Sequence, residues 1–108
     1  MKFMVKWRVH PDKRQAALAA FAQMTEEDDK KDMGPNIKLI GRWHDISDSS
    51  GIAICESDDP LAMANWALNW NSSLDLETRM VLNDDEARAV GRQRLAEAEK
   101  MKTTVVQN

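Results

Sequence analysis

Tyrosine is missing from this 108-residue chain, cysteine occurs once, glycine four times and proline three times. Each scarcity excludes something. With Cys55 alone no disulfide can form within the chain, which suits a reducing compartment. Gly34, Gly41, Gly51 and Gly91 are isolated from one another, so there is no glycine-rich phosphate loop. A nucleophile elbow and a paired-carboxylate spacing are absent as well. Apolar runs are short, and none approaches the length needed to cross a membrane as a helix. The first eight residues, Met1 to Arg8, alternate apolar with polar and do not form the continuous apolar stretch of a signal peptide. A cytoplasmic location is the expectation that remains. Basic surplus is lacking too: fifteen Lys and Arg face eighteen Asp and Glu, for a formal charge of −3. Scattered cations of that number do not favour a phosphate backbone or an anionic membrane surface, so neither nucleic acid nor membrane is expected as a partner.

What is present fits one small globular domain. The chain is 43% hydrophobic and 31% charged, and its aromatic area sits largely in four tryptophans. A chain of this length buries roughly two-thirds of its unfolded surface and needs no metal or disulfide staple. Residues 1–101 are expected to form the domain and residues 102–108 a disordered tail.

The periodicity predicts a β-α-β-β-α-β order with an added C-terminal helix. Residues 2–9 alternate as a strand, with Phe3, Val5, Trp7 and Val9 on one face. Pro11 opens a helix whose apolar stripe is Ala17, Leu18, Phe21, Ala22 and Met24. The acidic run at residues 26–32 is expected to be a solvated loop ending at Gly34-Pro35. Residues 37–46 form a second strand, Ser47 to Gly51 a turn, and Ile52 to Glu56 a third strand. Asp59 caps a helix begun by Pro60, with Met63, Trp66, Ala67 and Trp70 as its stripe. A fourth strand covers residues 74–82, and Asn83 with Glu86 is a capping box for the last helix. This split βαβ order is ferredoxin-like α+β, an antiparallel four-stranded sheet of order 4-1-3-2 with both long helices on one face.

Strict alternation assigns the other face Met4, Lys6, Arg8, Lys38, Ile40, Arg42, His44, Ala53, Cys55, Asp75, Glu77, Arg79 and Val81. A patch that is apolar at its centre invites a partner, and a homodimer is the expectation.

Several strings resemble a known family: Met1 to Trp7, Gly41-Arg42-Trp43-His44, Glu56 to Pro60, Trp70, and Glu77 to Asp85. Together they look like the uncharacterised bacterial and phage family called domain of unknown function 3303, over residues 1 to about 90. The resemblance implies the dimeric α+β barrel class. That class includes cofactor-free monooxygenases, isomerases, haem-degrading enzymes and plain ligand binders, so it selects no function. Met80 stands where that family commonly has Pro, and residues 26–32 look like an insertion.

The chemistry on offer is modest. Arg42 and His44 are two apart on a strand and share a face. On the expected open face, Arg42, Lys6 and Arg79 are the candidate ligand-binding residues, with Arg42 clamping a carboxylate. His44 is the candidate acid or base and Glu77 the residue that orients it. The expected function is binding of a small polar or aromatic molecule there, with cofactor-free proton transfer or oxygenation as the chemistry. The plainer reading is an Arg–Glu–His network at a dimer rim, in a non-catalytic accessory module. Trp7, Trp43, Trp66 and Trp70 are expected in the core, Trp43 reaching the other side only through a register change at a bulge. Cys55 is expected to be a buried, inert thiol, and no cofactor or metal is called for.

Overall fold

The computed structural model describes residues 1–107, and side chains as far as Lys102. Strands β1 (Lys2–Val9), β2 (Lys38–Asp45), β3 (Ser50–Glu56) and β4 (Leu74–Val81) form one antiparallel sheet. Its order, β2-β3-β1-β4, is the one expected from the crossovers. A 3-10 turn at Pro11–Lys13 leads into α1 (Arg14–Gln23), followed by α2 (Glu26–Met33), α3 (Pro60–Trp70) and α4 (Asp84–Gln107). The expected tail at residues 102–108 falls largely beyond the last described side chain.

The sheet is open. β2 and β4 each have a strand on one side only, so nothing closes the sheet into a barrel. The expected dimeric α+β barrel is therefore corrected to an open, ferredoxin-like α+β fold with an extra C-terminal helix. The physical reason is geometric: two further strands separate the edges, and the twist between neighbours turns edges away from each other.

Local chemistry fixes the helix ends. Asp59 accepts hydrogen bonds from the Leu61 and Ala62 N–H groups, with Pro60 in the first turn of α3. Asn83 and Glu86 exchange the two bonds of a capping box at α4. The acidic run is not a loop but α2, because Thr25 and Asp28 form a second capping box and Gly34, at φ 82°, ends the helix. Four carboxylates in the first turn suit the positive end of the helix dipole.

The core lies between the sheet and the helices. Val5, Met33, Ile37, Ala53, Cys55, Met63 and Trp66 are buried together, with Phe3, Trp7, Leu39, Trp70 and Leu76 partly buried around them. Ala53 and Cys55 are thus on the helix side and not on the open face, because β3 pairs Phe3 with Cys55 and Val5 with Ala53. Directly opposed residues share a face.

A bulge makes the second correction. Leu39 pairs with Cys55 but Gly41 pairs with Ile54, leaving Ile40 as the extra residue of β2. Alternation slips by one beyond it. Arg42, opposite Ala53, and His44, opposite Gly51, turn to the helix side, and Trp43, opposite Ile52, turns to the open face. There the Trp43 ring lies over Gly41, where any Cβ would strike it, and the residue is 58% exposed.

Candidate functional site

Helix α1 does not fill the space above the sheet. None of its residues is buried; Leu18 is 51% exposed and Phe21 38%. Between α1, α3 and the sheet is a cavity of about 300 Å³. Val5, Val9, Leu18, Met63, Leu74 and Leu76 form apolar walls, and Trp7, Phe21, Trp66 and Trp70 add ring surface. The stripe that the sequence marks on α1 therefore faces a void.

The polar end of this cavity is built by α2 and β2. Arg42 Nη2 donates to Asp29 Oδ2 at 3.0 Å, and both side chains are largely withdrawn from water, 17% and 16% exposed. The guanidinium carbon stands 5.0 Å from the centre of the Phe21 ring, within cation–π range. His44 lies beside the same ring at 4.6 Å and meets Trp7 edge-on at 5.3 Å. Burial lowers the His44 pKa from 6.5, and the neighbouring Arg42 charge lowers it further against the weaker opposing pull of Asp29. A neutral imidazole at pH 7 offers one donor and one acceptor, and its free lone pair can take a proton.

Asp32, one helical turn from Asp29, secures the opposite wall. Its Oδ2 accepts from the indole N–H of Trp66 at 2.9 Å and of Trp70 at 2.7 Å. Two tryptophans at i and i+4 on α3 are thereby tied to α2, and each partly buried N–H has an acceptor.

The structure brings Arg42 and His44 together on the helix side of β2 and leaves Lys6, Glu77 and Arg79 on the other face of the sheet. Lys6 pairs across β1 and β4 with Glu77, and Met4 with Arg79, on the face no helix covers. Glu77 is hydrogen-bonded there by Arg79, which holds its carboxyl below the usual range. Lys6, Glu77 and Arg79 therefore do not line the cavity between α1, α3 and the sheet, while a second, more open depression has Lys6, Trp43 and Glu77 in its lining together with His44. Asp29 and Asp32 are the residues that sequence reasoning missed. The signal was there: Thr25-x-x-Asp28 announces a helix, and on that helix Asp29, Asp32 and Met33 share a side.

Cys55 is fully buried, and burial pushes its thiol up to about 11. Among the described residues no group of three or more His, Cys, Asp or Glu is placed to hold a metal ion. No helix among them is long and apolar enough to cross a membrane.

Comparison with known proteins adds the following. No curated protein matches the chain. A crystal structure described as an antibiotic biosynthesis monooxygenase is similar over 77% of this chain and 100% of its own, at 12% identity and a TM-score of 0.47. The family described as "Domain of unknown function (DUF3303)" matches residues 1–95. With that match spanning most of its length, the chain belongs to the DUF3303 family.

Proposed function

We propose that this protein binds a small, mostly apolar molecule in the cavity between the sheet and helices α1 and α3, with Arg42 and His44 meeting its polar end. One observation carries the reading: side chains of core type surround a void of about 300 Å³. Ligand sites are concave, mainly apolar, and carry a few convergent polar groups. An apolar space of this size inside a small domain costs stability unless something fills it. Any catalysis would use His44 as the base, since its lowered pKa leaves it unprotonated at neutral pH.

The test is a ligand screen by thermal shift on the wild type and on Ala17→Trp. Ala17 lines the cavity from α1, so an indole there takes up the volume. Hits that raise the wild-type midpoint are expected to lose at least about tenfold in affinity in the filled variant. If hits bind Ala17→Trp as well as wild type, they bind elsewhere and the reading is wrong.

A further inference from the structure

The guanidinium that the sequence offers for a carboxylate is already paired. Asp29 stands 3.0 Å from Arg42 outside the cavity lining, and both side chains are largely buried. Asp32 adds a second carboxylate to the same interior. One largely buried cation is thus accompanied by two carboxylates, its partner Asp29 and the cavity-lining Asp32, while the rim contributes one charge of each sign, Arg14 and Asp45. A carboxylate ligand would bring a third negative charge into a partly desolvated space with no unpaired cation inside it, and that is unfavourable. Hydrogen-bond donors are nevertheless plentiful. The remaining guanidinium N–H groups of Arg42 have no protein acceptor among the described residues, and His44 can present an N–H.

We infer that the ligand is an uncharged planar aromatic molecule bearing a carbonyl or similar acceptor, seated with that acceptor at Arg42 and His44. This deepens the proposed function and rests on it. The rings of Trp7, Phe21, Trp66 and Trp70 favour a flat partner. Because an apolar cavity of about 150 Å³ takes one benzene ring, roughly twice that volume suits two fused rings. Asp29 is the residue that sets this choice: it does not line the cavity, but it positions Arg42 and cancels its charge.

Three naphthalenes of nearly equal size separate the possibilities by isothermal titration calorimetry: 2-acetonaphthone, 2-naphthoate and 2-ethylnaphthalene. The neutral ketone is expected to bind at least about tenfold more tightly than either of the others. Tighter binding of naphthoate overturns the inference but leaves the cavity as a ligand site. Equal binding of ethylnaphthalene and ketone also overturns it, because the polar end is then unused. No binding of any of the three removes the inference and the proposed function together. Asp29→Asn supplies the second arm, since it frees the Arg42 charge with little change of shape. It should shift the ketone-to-naphthoate affinity ratio toward naphthoate by about tenfold, and an unchanged ratio refutes the role given to Asp29.

Discussion

His44 shows how neighbours set the state of one side chain. It sits against two aromatic rings and close to a guanidinium, and its partial burial and the guanidinium charge both disfavour its charged form. Its folded pKa lies below the unfolded value of 6.5. The unfolded chain therefore binds more protons than the folded one between those two values, and stability falls as pH drops through that window. Above 6.5 the contribution is complete; below the folded pKa the loss is complete. His44→Gln should flatten the pH dependence of the thermal midpoint between about pH 5 and 8, since His is the side chain that titrates there. A variant whose midpoint follows pH as the wild type does would show that some other group governs acid sensitivity. Asp29 and Arg42 face His44 from α2 and from its own strand, so their ion pair must persist in the variant for the comparison to hold.

At the level of the element, β2 decides where the chemistry goes. Inserting one residue between Gly41 and Arg42 would shift the pairing by one, and every side chain beyond it would have to change face. Trp43 would turn inward, and Arg42 would lose Asp29. Such an insertion should destabilise the fold by roughly 3 kcal/mol or more in urea unfolding, the cost of breaking a largely buried ion pair. Near-wild-type stability would mean that the strand absorbs the insertion elsewhere. The same strand shows what sequence alone can and cannot reveal. β1 and β4 alternate without interruption, so their faces are legible residue by residue. The Lys38–Asp45 segment also alternates in composition, but a bulge leaves no mark when both phases put an apolar residue on each side. Arg42 and His44 could thus be recognised as neighbours on one face, while the face itself could not. Helix α2 was hidden for another reason. A run of seven residues, every one of them acidic or basic, looks solvated by charge density, and only its Thr25 cap and the inward side of Asp29 and Asp32 contradict that.

For the molecule as a whole, the described core contains no residue of α4. Val90, Leu95 and Met101 are all exposed, and the contact of α4 with the sheet includes the Lys2–Glu86 ion pair near its start. Truncation after Asn83 should therefore leave the unfolding midpoint within about 4 °C of the full chain, since a surface contact contributes little. A much larger drop would show that α4 supports the domain in solution through contacts this structure does not contain. The radius of gyration, 19.4 Å, reflects the same separation, because a compact domain of this length would measure about 13 Å.

The protruding helix also governs how the protein rotates in water. Its 24 residues make a rod of about 36 Å at 1.5 Å per residue, within a body measuring 66 × 29 × 21 Å. Amide N–H bonds in an α-helix run nearly parallel to its axis, so those of α4 sense end-over-end turning, the slowest rotation available to an elongated particle. Any amide lying across that axis is also reoriented by the faster spin about it. Nuclear spin relaxation would therefore report two correlation times from one rigid chain, and the slower one would be a property of shape and not of aggregation.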